Sequence, residues 1–530
     1  MLSTLCKSLC KSLAISLISL FSINIAFANY ASVDDFVKDQ KVIRIALDSG
    51  PGFGDQAASL NVMSWLRSHG FQGWFEVIYP DEITYKMKSL FNLPYVYISA
   101  LPTTYEDTVN HVRLIKQSQF ESDHDNGKVI YYPLGISGEY ETDPCAYYAE
   151  GDTKVGCEIN ARYADPSVPY TYHNFANYFN VGNFINVGVW NFKTNMSLIY
   201  AFDQVIIKQL DVTNTYFNVP QTTLAMAKRY LSQDANGKNF LLKNPALLDL
   251  MSVIENQTVN IMSIYGLTIQ NGGQGGDFIY DVMEFITAAH YAQLTGSEKF
   301  HHPLIIPVFY DYTEECKILT EVIKKDDWSH VRSTETPDTR KAILQKVIKD
   351  LNLSTTFSTA NLSDPDLSQK IHHLSPYEIL LVSMGPLPKV VFDGVYTYTN
   401  DNIWPQVREG ESSLNSLLVT GKPNIRCSWS LWELPWDNWI TDNDLKNRLH
   451  KLFGFLNNAN GYAEGGLICR GNQSWESNPD LYKDLARLIL DASNPDSAYS
   501  KYFQRLKIEA SKPENDRINR ALTEALQHTN

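Results

Sequence analysis

Cysteine is scarce: the chain carries seven in 530 residues, and Cys6 and Cys10 fall in its leading apolar stretch. The others are Cys145, Cys157, Cys316, Cys427 and Cys469, with no pair at Cys-x-x-Cys spacing. That pattern excludes a dithiol redox motif and a cysteine zinc cluster. In an oxidising compartment Cys145 and Cys157 are spaced to close a short loop, and the odd count leaves at least one thiol free. The doublets His301-His302 and His372-His373 lack the i, i+4 spacing of a helical metal site and read as surface or core histidines. Positive charge is also short, 45 Lys and Arg against 59 Asp and Glu for a formal charge of -14. A nucleic-acid backbone is therefore not the expected partner, because phosphate binding needs clustered cations. Beyond residue 28 no apolar run approaches eighteen residues, so no membrane span is expected in the mature chain. A Walker loop and a Gly-x-Ser-x-Gly elbow are missing, and Gly135-Ile136-Ser137-Gly138 lacks the elbow pattern. The glycines at 272–276 do not match the dinucleotide fingerprint.

What is present begins with an export signal. Lys7 and Lys11 give a positive n-region, residues 13–25 are apolar apart from serines and Asn24, and Ala26-Phe27-Ala28 supplies a small-x-small cleavage pattern. Residues 1–28 are thus expected to be a signal peptide, whose loss takes the formal charge to -16. The expected location is outside the cytoplasm: secreted or periplasmic, or lumenal in a eukaryote. Hydrophobic residues make up 44% and aromatics 12%, enough to bury large cores in a globular chain of two or three domains.

Two segments each open a strand, a glycine-rich loop and a helix. The first has its strand at 42–47, Gly50, Gly52 and Gly54 in the loop, and a helix at 56–69 with Leu60, Met63 and Leu66 on its apolar face. Gly70 stops that helix, and 74–79 reads as the next, parallel strand. The second has a strand at 259–265, four glycines within 272–276, a helix at 277–294 capped by Asp277, and a strand at 304–310. The expected fold is α/β: two Rossmann-like lobes facing a central cleft, joined near 233–257. The domains read as 29–250, with an aromatic-rich insertion of short strands and loops at 163–192, then 251–475, then a charged helical tail at 476–530 with helices at 481–492 and 500–527. Residues 378–383 read as a strand, and 390–398 as part of a second strand-like run.

The stretch after that run carries the chemistry. From Ser412 to Val419 the sequence reads as a helix, with Gly421 as the residue just past its end and Pro423 as a stop. Its N-terminus offers free backbone N–H groups, the positive end of the macrodipole, and the hydroxyls of Ser412 and Ser413. Such a start is either a serine-capped helix or a cradle for a pyrophosphate. Asp364-Pro365-Asp366 and Asp442-Asn443-Asp444 have the Asp-x-Asp form of metal-dependent transferases but sit in polar sequence and read as turns. Trp429, Trp432, Trp436 and Trp439 fall close together, as a packed segment or a wall for sugar rings.

An acidic–small cluster opening a helix that ends in Gly421-Lys422-Pro423 resembles the donor site of GT-B glycosyltransferases. Within that superfold the motifs are most similar to those of the bacterial protein-arginine rhamnosyltransferases, which carry an Arg-Gly-Glu-Asp-Ser stretch before the equivalent helix. Here Gly410-Glu411-Ser412-Ser413 stands in that place, with Ser412 where the family has Asp and Arg408 one residue further from the helix. That family's first lobe opens with an Asp after the first strand and an Asn-Phe-Gly-Asp turn; here Asp48 follows the strand and Phe53-Gly54-Asp55 enters the helix, three residues further on than in the family.

The resemblance implies Asp55 as catalytic base with Asp48 beside it, Glu411 as a second essential carboxylate, and Ser412 and Ser413 holding the donor pyrophosphate. Arg408, Gly410 and Gly54 complete the implied donor-binding set. It implies a metal-independent, inverting transfer from a nucleotide-sugar donor to an acceptor that is a protein or a glycan, without a cofactor. The alternative from another class is an exported two-lobed solute-binding protein without catalysis.

Overall fold

The computed structural model describes residues 30–48, 54–91, 93, 101–138, 175–186, 196–201, 204–209, 221–267, 276–331, 338–398, 403–408, 416–418, 420–426, 440–453 and 479–528. The expected signal peptide, the tryptophan cluster at 429–439 and Cys145, Cys157, Cys427 and Cys469 lie outside them. The chain is mixed α/β with parallel-rich sheets, in two compact units. No helix among the described residues is long and apolar enough to cross a membrane. Unit 1 comprises Met1–Thr84, Leu101–Phe217 and Pro513–Asn530; unit 2 comprises Tyr85–Ala100 and Asn218–Lys512. The division thus falls ahead of the stretch 233–257, and the end of the chain groups with unit 1.

Among its described residues unit 1 has eight strands: β1 Val42–Ala46, β2 Trp74–Tyr79, β3 Thr104–Asp107, β4 Val112–Lys116, β5 Tyr132–Ser137, β6 Val181–Asn186, β7 Met196–Ala201 and β8 Gln204–Gln209. They lie in the order β3-β4-β2-β1-β5-β6-β7-β8. The central strands β4, β2, β1, β5 and β6 are parallel, and the outer strands β3, β7 and β8 run antiparallel to their neighbours. β1 and β2 are buried along nearly their whole length, as strands covered on both faces must be, which is why they read as near-continuous apolar runs. α1 Val33–Asp39 is capped by Ser32, whose hydroxyl accepts from the Asp35 N–H. α2 Gly54–Ser68 follows β1.

β6 comes from the stretch read as an aromatic-rich insertion. It pairs in parallel with β5, so at least residues 181–186 belong to the main sheet rather than to an appendage. Phe179 and Phe184 stack there at 4.7 Å and carry the aromatic content into the core. The tail helix expected at 500–527 is two helices, Ala498–Ala510 and Arg517–His528. Pro513, which has no N–H to donate and fixes its own φ, sits in the break. Asp516 anchors the second: its carboxylate accepts from the Asn519 N–H at 2.9 Å and from the buried Trp65 indole N–H of α2 at 2.9 Å.

Among its described residues unit 2 has six strands: β9 Asn260–Ile261, β10 Leu304–Val308, β11 Phe357–Asn361, β12 Ile379–Ser383, β13 Gln406–Arg408 and β14 Asn424–Arg426. Four lie in the order β11-β12-β10-β9, all parallel. The chain beyond β9 then pairs with β13: the Val407 N–H donates to the Ser263 carbonyl at 2.8 Å and the Tyr265 N–H to the Val407 carbonyl at 3.0 Å. β14 lies parallel to β13 on the far side. The helices of unit 2 include α3 Leu224–Gln233, α4 Leu247–Glu255, α5 Gly276–Thr295, α6 Thr313–Lys325, α7 Lys389–Tyr396, α8 Leu481–Ser493 and α9 Ala498–Ala510. α5 places Asp277 inside its first turn rather than before it.

The strand-like reading of 390–398 is corrected by α7. Its β-branched valines favour strands locally, but Val391 and Val395 are four apart and both buried against α3, where Leu224, Ala227 and Leu231 complete the contact. Packing of that stripe outweighs a propensity difference of a few tenths of a kcal/mol per residue.

His290 in α5 gives unit 2 a pH dependence. Burial holds its pKa below the usual 6.5, outweighing hydrogen bonds to Gln293 and the Leu351 carbonyl that favour the charged ring. The fold prefers the neutral imidazole, while the unfolded chain protonates near the usual value. The contribution is therefore complete above about pH 6.5 and falls as pH drops toward the lower folded value. The melting midpoint of the protein is expected to fall from pH 7 to pH 5 more steeply than that of His290→Gln; equal slopes would remove this residue from the account.

Candidate functional site at the carboxyl edges of the two sheets

Parallel α/β sheets bind ligands outside the carboxyl ends of their strands, where successive connections turn to opposite sides. In unit 1 that point lies between β1 and β5: the chain moves from β1 to β2 and β4 on one side, and to β5 and β6 on the other. In unit 2 it lies between the chain beyond β9 and β13, with β10 and β12 on one side and β14 on the other.

At the unit 1 switch point, Leu47 extends β1 by donating its N–H to the Ile78 carbonyl at 2.9 Å, and Asp48 follows, 1% exposed. Gln56, wholly buried in the first turn of α2, donates its side-chain amide to the Asp48 carbonyl oxygen at 2.6 Å and so pins the strand end to the helix start. Ser59, one turn on, donates its hydroxyl to the Ala46 carbonyl at 3.1 Å and accepts from the Gly138 N–H at 3.0 Å. The hydroxyl of Ser137, the last residue of β5, lies 3.4 Å from that of Ser59. One serine thus clips α2 to the ends of both strands flanking the switch point. Gly54 and Asp55 are the first two residues of α2, so the backbone of the expected base enters the helix at this edge. The placement of the Asp55 side chain lies outside the described residues.

Asp48 and the start of α2 lie together at this edge with Gln56, Ser59 and Ser137, which sequence reasoning did not assign to a site. The signal available was weak: three uncharged polar residues on a face or strand end that the apolar pattern marks as buried, where buried polar groups must be hydrogen-bonded.

At the unit 2 switch point, Arg408 ends β13 and is 3% exposed. Its Nε donates to the Asn424 side-chain oxygen at 2.6 Å, and the Tyr499 hydroxyl of α9 donates to the Asn424 carbonyl at 2.7 Å. Burial raises the Tyr499 pKa, opposed by the Arg408 charge, so the phenol stays neutral. Arg408 is therefore held within the packed interior of unit 2. Gly410, Glu411, Ser412 and Ser413, the remainder of the expected donor set, lie outside the described residues. Of the helix read at 412–419, residues 416–418 are described and are helical. Gly421 has φ of +67° and donates its N–H to the Leu418 carbonyl at 3.1 Å, as expected for the residue just past a helix end.

Along the same edge, the Ser383 hydroxyl at the end of β12 accepts from the Tyr312 N–H at 2.9 Å and donates to the Tyr310 carbonyl at 3.2 Å. The Tyr312 ring stacks on Phe278 at 3.9 Å, and its hydroxyl donates to the Leu267 carbonyl. These contacts fix the loop leaving β10 and leave Tyr310 half exposed beside them. The Asp-x-Asp segments form local turns: Asp364 accepts from the Asn361 N–H at 2.8 Å, and Asp442 accepts from the N–H groups of Asp444 and Leu445 at the start of a helix. Among the described residues no group of three or more His, Cys, Asp or Glu is arranged to hold a metal ion. Cys316 in α6 is free, and burial, reinforced by the charges of Glu315, Asp311 and Asp364, pushes its thiol up to about 12, so it is no nucleophile.

Comparison with known protein families finds no family model that matches the chain, and comparison with curated proteins finds no match either.

Proposed function

We propose that the chain is an exported glycosyltransferase of the GT-B kind, with unit 1 and unit 2 as Rossmann-like lobes, moving a sugar from a nucleotide-activated donor to a protein or glycan acceptor. The observation that carries this reading is the position of Arg408. It is the last residue of the strand beside the unit 2 switch point, and β14, parallel to β13, begins at Asn424. The connection between two parallel neighbours must return from the carboxyl to the amino edge. The carboxyl edge, where Arg408 ends β13, is where a helix start is suited to receive a diphosphate. Asp48 and the first turn of α2 stand at the equivalent edge of unit 1.

In the reaction we propose, an acceptor oxygen or nitrogen attacks the anomeric carbon of the donor. The bond from that carbon to the diphosphate oxygen breaks, and its electron pair leaves on the diphosphate. The acceptor proton passes to the carboxylate of Asp55, with Asp48 and Glu411 as further carboxylates of the site. Backbone N–H groups at the helix start and the hydroxyls of Ser412 and Ser413 receive the charge of the leaving group.

The test is thermal shift of the mature chain, residues 29–530, against nucleoside diphosphates and nucleotide sugars. A diphosphate at about 100 times its Kd adds ~2.7 kcal/mol, roughly 4 °C for a unit of about 300 residues. The shift is expected to disappear in Ser413→Ala and Glu411→Gln, while Asp55→Ala keeps it and loses transfer. If no nucleotide shifts the protein but free sugars or amino acids do, the exported solute-binding protein replaces this reading.

A further inference from the structure

Unit 1 is completed by a segment that follows all of unit 2 in the sequence. Pro513–Asn530 groups with Met1–Thr84 and Leu101–Phe217, while Asn218–Lys512 belong to the other unit. The tail helix Arg517–His528 lies against β6, β7 and α1. Ile518, Ala521, Leu522 and Ala525 recur at the i, i+3, i+4, i+7 spacing of one helical face, and each is at most 3% exposed. The helix is not a continuation of α9, because a single turn at Pro513–Asn515 separates the two.

One side chain links the folding of this helix to its docking. One carboxylate oxygen of Asp516 accepts from the Asn519 N–H at 2.9 Å and so caps the helix. The other accepts at 2.9 Å from the indole N–H of Trp65 in α2, which is wholly buried. A helix of 12 residues is marginal in water by itself, so the cap, the apolar stripe and the indole contact form together. Without the tail, a buried indole and the surface under four apolar side chains would be left open.

We propose that unit 1 is a split domain with a docking surface for its own tail helix, formed by β6, β7, α1 and Trp65. This surface stays open until Asn218–Lys512 have been made and the helix docks, and a separate peptide of the same sequence can fill it. The proposal is independent of the transferase reading, since no residue of the donor or acceptor set takes part.

The experiment pairs the full chain carrying Leu522→Asp, which puts a charge into the buried stripe and expels the helix, with a fluorescent peptide of residues 513–530. One-to-one binding is expected to this variant and none to the parent, whose surface its own helix fills. Asp516→Ala in the peptide is expected to weaken binding about fivefold, the loss of one helix cap, and Leu522→Asp in the peptide to abolish it. Hydrogen exchange read by mass spectrometry is the second measurement. Amides of β6, β7 and the second half of α2 are expected to exchange faster in the variant than in the parent and to slow again when the peptide is added. Those of α5 and β12 in unit 2 are expected to stay unchanged. Failure of the peptide to bind, unchanged exchange in unit 1, or equal loss of protection in both units overturns the proposal. Equal binding to the parent overturns it too, by placing the peptide elsewhere.

Discussion

Replacing Glu76 with glutamine is expected to destabilise unit 1 by about 3–5 kcal/mol, a fall in its melting midpoint of roughly 6–20 °C. Arg44 lies in the middle of β1, 1% exposed, directly in register with Glu76 on β2. Its Nε and one terminal nitrogen donate to the same Glu76 oxygen at 2.8 and 2.5 Å, and the other Glu76 oxygen accepts from Arg113 at 3.2 Å. The remaining Arg44 donors reach the carbonyls of Phe179 and Ile130, and the guanidinium lies over the Tyr132 ring at 4.6 Å. Burial pulls the Arg44 pKa down, and the neighbouring carboxylate is what opposes it. Glutamine removes the negative charge and presents an N–H₂ group among donors, leaving a buried cation without its counter-charge. The charge, not the contact area, is the cause. Arg44→Met combined with Glu76→Leu is therefore expected to recover most of the loss, since apolar replacement of a buried pair is often neutral or better. Denaturant unfolding checks both, and a loss below about 1 kcal/mol for the single variant would show the pair to be solvated.

Alanine at Gly138 is expected to cost about 3 kcal/mol, the upper end for overpacking, and to disable the unit 1 site. A Cβ at this position would fall 2.2 Å from the Ala58 carbonyl carbon and from the Ser59 nitrogen. Both are backbone atoms of α2, so no rotamer change relieves the clash. The helix must withdraw from the end of β5, breaking the bond from the Gly138 N–H to Ser59 and carrying the start of α2 away from Asp48. Gly127→Ala is the control. That residue has φ of +64° but no atom within 4 Å of an added Cβ, so only backbone strain of about 1–2 kcal/mol is expected. The comparison is read from denaturant midpoints together with the nucleotide-dependent assays. Equal effects at the two glycines would mean that the α2–β5 approach is not tight.

Regular elements were legible wherever local pattern and burial agree. The strand and helix at 42–68, the strand at 74–79 and the long helix α5 all have apolar residues at the spacing their structure requires. The glycine past the helix at 416–418 was legible for a similar reason, because a left-handed residue is a local demand. The helix α7 was not, since its valines locally suit a strand and only the facing surface of α3 settles the matter. Nor was the break at Pro513, where a charged, helix-favouring stretch continues on both sides.

Composition and spacing by themselves determined the α/β class and the two strand–loop–helix openings, while Asp48, Asp55 and the Gly410 segment were nominated by a resemblance in short motifs. Those depend on residue types and on neighbours within a few positions. The strand orders were decided only by tertiary structure, because which strands pair is a matter of long-range packing that no short window contains. So too were the burial of Arg44 against Glu76, 32 positions away, and the clip that Ser59 forms with Gly138, 79 positions away. Each arises where segments distant in sequence are brought within contact distance. There a charge or hydroxyl that looks solvated in the sequence must find its partner inside the protein.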